Sequence, residues 1–178
     1  MAGEAGEAGE AGEAGEAGEA GEAGEGGACL ACDLMLGRAP LPGGTLLRTG
    51  SWVVEHCVGP LGLGTVVVKP ARHVVHVAGL TPPEAGELGP LLQRVSAAVA
   101  EVVAPEQVYV CLWSHAGGVP GHIHFVVQPV SRADMDRFGA FGPALQVAMG
   151  QAGRLPGTAE VKRVCVRLRD VLGRTPSG

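Results

Sequence analysis

The stretch Gly121-His122-Ile123-His124-Phe125-Val126-Val127-Gln128-Pro129 constrains the fold more than any other part of the chain. Side chains alternate faces along a strand, so Ile123, Phe125 and Val127 form one wholly apolar face. His122, His124, Val126 and Gln128 form the other. The apolar face has to be covered, which places this strand in a sheet packed on a core. On the opposite face two imidazoles lie side by side, and for an arbitrary pair of this kind a solvated sheet face is as good an account as a functional one.

Further strands are legible around it. Thr45–Arg48 and Ser51–His56 are joined by a Thr49-Gly50 turn, and the β-branched run Thr65–Val68 stops at Lys69-Pro70. Gln107–Trp113 and His122–Gln128 flank a Gly-rich loop, Ser114–Gly121, and are expected to form a hairpin at the centre of the sheet. Thr81-Pro82-Pro83-Glu84 has the hydroxyl, the prolines and the third-position Glu of a capped helix start. Behind it Leu88, Leu91, Leu92, Val95, Ala98, Val99 and Val102 recur at spacings of three and four, giving one apolar stripe that ends at Pro105. Two more helical stretches follow, Arg132–Ala152 interrupted by glycines and Ala159–Leu172 after a Thr158 cap. Strands clustered rather than alternating with helices predict an α+β domain: a mainly antiparallel sheet of about five strands, one long helix and C-terminal helices.

The chain has 178 residues, but residues 2–25 are eight perfect copies of Ala-Gly-Glu. With no aliphatic larger than Ala, that segment lacks the apolar surface that would offset ordering entropy. Residues 1–26 are therefore expected to be a disordered tail, and residues 27–178 one domain with a C-terminal helical extension at about 131–173. The net charge of −5 belongs to the tail: eight of the 18 acidic residues lie in the repeats, leaving 10 against 13 basic residues in the body. A mildly basic body suits an anionic small molecule and falls short of the footprint of a nucleic-acid binder. No apolar run approaches a membrane span, and the N-terminus does not read as a signal peptide. An odd number of cysteines, five, argues against a disulfide scaffold and for a reducing, cytoplasmic setting.

Cys29-x-x-Cys32 brings two thiols within reach of one zinc ion, which takes four ligands tetrahedrally. It is half a site, and His56, His73, His76 and His122 are the candidates to complete it. The redox reading of such a pair is weakened because no strand precedes it. Cys57, Cys111 and Cys165 read as core thiols, Trp52 and Trp113 as core or sheet packing, and Lys162, Arg163, Arg167, Arg169 and Arg174 as an outward helix face.

Three pieces in this order resemble the histidine triad family: the Cys-x-x-Cys knuckle, Val67-Val68-Lys69-Pro70-Ala71-Arg72-His73-Val74, and Gly117-Gly118-Val119-Pro120 running into the His122–Pro129 strand. The likeness covers roughly Cys29 to Pro129. It implies that the chain binds a nucleotide and that His124 attacks the α-phosphorus of a phosphoanhydride or phosphoramidate, such as a dinucleoside polyphosphate. The nucleotidyl-histidine so formed passes its nucleotide to water or another acceptor, making the chain a nucleotide hydrolase or nucleotidyl transferase. The resemblance also implies phosphate contacts from Ser114, His115, Gly117 and Gly118, and a structural zinc held by Cys29, Cys32, His73 and His122, with His76 as competitor for His73. Relatives are commonly two-fold dimers. Two positions depart from the family pattern. Val126 stands at the third histidine of the triad and Gly64-Thr65 where the family has Gly-His. Valine neither contacts phosphate nor assists a leaving group; Gln128, about 6.6–6.8 Å further along the same face, is the candidate substitute. The runner-up reading is a zinc-stabilised nucleotide-binding module with weak or absent turnover.

Overall fold

The β-branched runs form a five-stranded antiparallel sheet in the order β1-β2-β3-β5-β4, with β1 Thr45–Arg48, β2 Trp52–His56, β3 Val66–Pro70, β4 Gln107–Ala116 and β5 Val119–Val130. The computed structural model describes residues 29–116 and 118–174. The expected tail, residues 1–26, and Gly117 lie outside the described residues. Five helices complete the α+β fold: α1 Leu30–Met35, α2 Pro82–Val103, α3 Arg132–Phe138, α4 Gly142–Gln151 and α5 Thr158–Leu172. The cap of α5 is Gly157 and Thr158 is its first residue, one position earlier than the sequence suggested.

The principal core lies between one sheet face and the helices α2 and α5. Trp52, Val54, Val66, Val68 and Val127 meet Leu91, Val95, Ala98, Val99 and Val102 of α2, with Val161, Val164, Cys165, Leu168 and Leu172 of α5 alongside. The predicted stripe of α2 is thus its buried face, each fully covered Val or Leu contributing roughly 1.5–3 kcal/mol of burial. At the start of α2, Glu84 accepts the Thr81 N–H at 2.7 Å, the carboxylate half of the expected capping box.

Two expectations change. The hairpin is not central, because β5 is interior, paired with both β3 and β4, and β4 is the edge strand. The residues tell the same story: Val126 and Val127 are buried, whereas Val110, Leu112 and Trp113 of β4 are about 40% exposed. The Gly-rich loop is also shorter than expected. β4 continues through Ser114 and His115 to Ala116, and Gly118, at φ +82°, occupies the turn. Between the pairs Trp113–His124 and His115–Pro120 the ladder is irregular, with extra residues on β5. This bulge frees the Ile123 N–H, which donates to Val74 O at 2.8 Å and draws His122 toward the loop after β3.

Nor is the histidine face of the sheet simply solvated. Helix α4 lies across its far end, where Val126 and Val130 join Leu61, Leu145 and Met149 in a second core. Cys111 of β4 donates to Gln146 Oε1 of α4 at 3.0 Å, and the Gly142 N–H donates to the Tyr109 hydroxyl, also at 3.0 Å. Cys111 is therefore half-buried beneath α4, Cys57 is half-buried at the margin of that second core, and only Cys165 of the three is fully buried.

Candidate metal centre and the histidine strand

Strand β5 carries two imidazoles whose neighbours assign them different nitrogens. His122 is buried, and its Nε2–H donates to Pro70 O at 3.0 Å. That bond fixes the tautomer and leaves the Nδ1 lone pair facing the thiols, 3.5 Å from Cys32 Sγ and 3.8 Å from Cys29 Sγ. His73, on the loop after β3, sets its own Nδ1 3.4 Å from Cys32 Sγ. One ligand atom from each of Cys29, Cys32, His73 and His122 falls within 4.8 Å of all the others. Around a tetrahedral zinc, with Zn–S of about 2.3 Å and Zn–N of about 2.0–2.1 Å, sulfur and nitrogen are separated by about 3.6 Å. The observed 3.4–3.8 Å separations match that edge, so the donor set fits the ion in both chemistry and spacing. His76 heads the 3-10 turn Val77–Gly79 outside this group, and His56 is committed elsewhere.

The electrostatics suit metal uptake. Burial, seconded by the charges of His73, Lys69 and His124 and opposed by the Pro70 carbonyl, pushes the His122 pKa down to about 4. The ring is therefore neutral, as a ligand must be. Burial and the adjacent Cys29 raise the Cys32 pKa, while Lys69 pulls it down. A cation binding there displaces thiol protons. His73 is held by its neighbour: Arg72 Nε and Nη2 each bond the Glu84 carboxylate at 2.7 Å, and the guanidinium also reaches Gly79 O. The loop is thereby tied to the start of α2.

His124 is half-buried, pointing to neither the core nor the metal-capable group. Its Nδ1–H donates to His122 O at 3.0 Å, which leaves the Nε2 lone pair free. The indole of Trp113 stands edge-on to it, 6.2 Å between ring centres. Trp113 is 39% exposed and so is no core residue, unlike Trp52, which is fully buried. With α1 over Lys69 and α4 over Val126, the open part of this face is a strip containing Val67, His124 and Trp113. Ser114 and His115 lie at its end, on the last residues of β4.

The Gln128 expectation is corrected. The side chain has no exposed surface, and its amide nitrogen donates to Leu61 O and Met149 Sδ under α4. It packs against the second core and is closed off from the open strip. Among the described residues one cavity of about 260 Å³ lies beside Arg137, Phe138 and Arg154, and another of about 210 Å³ beside His56 and Cys57. His124 lines neither of them. The polar groups that sequence reasoning passed over are Lys69 and Glu55, both almost fully buried, with Lys69 bonded to Ala31 O of α1; the signal was present, a charge within each of two strand-forming runs.

No family model matches the chain and no curated protein matches it. Solved structures do. A histidine triad nucleotide-binding protein from Sulfolobus tokodaii is 17% identical, with 82% of this chain covering 92% of that one at a TM-score of 0.62. A zinc-bound histidine triad family protein from Mycobacterium smegmatis is 18% identical, with 82% covering 94% at 0.60. A histidine-triad-like protein from Bartonella henselae, described as involved in cell-cycle regulation, is 13% identical, with 81% covering 96% at 0.62. The fold is that of the histidine triad proteins. The coverage extends past β5, so the C-terminal helices fall largely within the similarity.

Proposed function

We propose that this chain is a nucleotide hydrolase or nucleotidyl transferase of the histidine triad type, acting on a nucleoside phosphoanhydride or phosphoramidate through His124. The observation that carries the reading is the division of tautomers on β5: His122 presents Nδ1 to two thiols, and His124 keeps Nε2 free on the open strip. In this mechanism Nε2 attacks the α-phosphorus and the leaving phosphate or amine departs in line. In the neutral imidazole the Nδ1–H bond to His122 O fixes the tautomer and leaves the Nε2 lone pair for the attack. Charge gathering there strengthens the same bond, so the ring needs no reorientation during the step. Ser114, His115 and the Gly118 backbone, at the end of the strip, are assigned to the phosphate oxygens. Gly117 shares that assignment on sequence alone. Water or a second acceptor then attacks the nucleotidyl-histidine from the vacated side.

Cys29, Cys32, His73 and His122 would hold zinc in a closed, four-ligand structural site, which supplies cross-linking of α1 to the sheet rather than chemistry. Among the described residues, neither Val126, which lies under Leu145 and Met149, nor Gln128, which is occupied, replaces the missing acid. Absence of a general acid typically costs about 10²–10⁴-fold in rate, so substrates with a good leaving group are favoured. Those residues also support a second reading, a nucleotide-binding module with little turnover. The exposed apolar Val110 and Leu112 on edge strand β4 are consistent with pairing to a second copy in a homodimer, and a cytoplasmic setting remains part of the proposal.

The test is zinc-loaded protein incubated with dinucleoside polyphosphates, nucleoside 5′-phosphoramidates and nucleotide sugars. Turnover with an acid-labile nucleotidyl adduct, both lost in His124→Ala by on the order of a thousandfold or more, is the expected result. Micromolar nucleotide binding without product selects the binding module. Neither binding nor turnover overturns both readings.

A further inference from the structure

The chemistry above leaves unused a buried ion pair directly behind the cysteines. Lys69 on β3 is 1% exposed and Glu55 on β2 is 2% exposed. Both side chains lie on the histidine face, Lys69 one step beyond the pair Val68–Phe125 and hence alongside His124. The Lys69 ammonium bonds Glu55 Oε1 and donates to Ala31 O at 2.8 Å. Ala31 is one of the two residues between Cys29 and Cys32.

Stability alone is a poor account of this arrangement. Desolvating two charges is costly, and well-packed apolar residues commonly serve as well or better. Glu55 Oε2 is also buried without a partner among the described residues. What an apolar pair cannot supply is the bond to Ala31 O. Helix α1 needs such a bond: it has six residues, its N-cap Cys29 makes no side-chain cap, and Leu34 is its one buried residue. The next residue along β3, Pro70, holds the His122 ring through Nε2. Consecutive residues therefore fix the cysteine turn and the histidine that faces it.

We propose that Lys69 is a positioning residue for the metal centre: its ammonium, braced by Glu55, clamps Ala31 O and sets the two thiols against His122 before a metal arrives. The proposal rests on the zinc reading above. It makes the site preorganised, so that less ordering cost falls on metal binding.

The test is a double variant, Glu55→Leu with Lys69→Met, which removes both charges together and leaves neither stranded. Zinc affinity, read by competition with a chromophoric chelator, is expected to fall about 10–100-fold, the usual penalty for losing outer-shell support. The melting temperature of the metal-free variant is expected to equal or exceed that of wild type. Unchanged affinity with a lowered melting temperature assigns the pair a purely structural role and overturns the clamp. Hydrogen exchange on metal-free wild type gives a measurement that depends on no variant. Protected amides across residues 31–36 support the clamp, and exchange at unstructured rates overturns it. A wild-type protein that takes up no zinc overturns the metal reading and the clamp with it, whereas zinc bound equally by wild type and double variant overturns the clamp alone.

Discussion

His56 illustrates how a buried imidazole can be wholly spoken for. Its Nδ1–H donates to Cys57 O at 2.7 Å and its Nε2 accepts the Gly64 N–H at 3.0 Å, so the neutral ring is satisfied at both nitrogens. Burial holds its pKa below the ordinary 6.5, the Cys57 carbonyl opposing. The unfolded chain then takes up a proton that the folded one refuses. The stability due to this residue is complete above about pH 6.5 and is lost as pH falls below it. Denaturation midpoints measured between pH 7 and 5 should decline, and His56→Asn should flatten that decline while lowering the midpoint at pH 7. Position 126 gives a second prediction. Restoring a histidine there puts an imidazole under Leu145 and Met149, where Val126 is 1% exposed. Val126→His should cost about 2 kcal/mol or more in denaturant unfolding and should not raise turnover, because the ring has no path to the open strip. A variant that gains activity without losing stability would contradict the seating of α4.

The elements were legible where one physical signal dominated. The α2 stripe, its Thr81–Glu84 start and the apolar face of β5 needed only periodicity. The Cys-x-x-Cys knuckle starts a short helix, which its spacing does not reveal, because two thiols three positions apart suit a helix or a turn. The edge position of β4 was missed for a different reason. Sequence adjacency pairs β4 with β5, but which of them also meets β3 depends on which faces are covered, and α4 covers the second face of β5. That same helix hides Gln128, whose polarity suggested a ligand contact when its partners are Leu61 O and Met149 Sδ. Between elements, the loop before β1 is held against α5 by a close approach: Gly43 has φ +86°, and a Cβ there would stand 2.4 Å from Cys165 Sγ. Gly43→Ala should destabilise by about 1–3 kcal/mol through strain and overlap together. The start of α2 is more robust to acid. The Arg72 guanidinium, with the Thr81 N–H, holds the Glu84 carboxyl at about 2, so this cap retains its contribution until pH falls below about 4.5.

At the scale of the molecule, the metal-capable group joins three segments far apart in sequence: α1, the loop after β3, and β5. Zinc held by this group would be coupled to folding, so chelation should lower the melting temperature by several degrees, with Cys29→Ser abolishing the difference. Affinity should also weaken as pH falls, since protons compete for the thiols. Half of this site could be read from Cys-x-x-Cys alone; the choice of His73 over His76 required the resemblance, and the geometry that brings His73 to Cys32 comes from Arg72 gripping Glu84, a contact twelve residues apart in sequence. The catalytic proposal depends on a finer feature than the fold, namely where two protons sit. Long-range ¹⁵N–¹H spectra of the histidine rings in zinc-loaded protein test it directly. The account predicts His122 with a metal-bound Nδ1 and a protonated Nε2, and His124 with a protonated Nδ1 and a bare Nε2. A His124 ring carrying its proton on Nε2, or a His122 ring whose Nδ1 does not respond to metal, would contradict it.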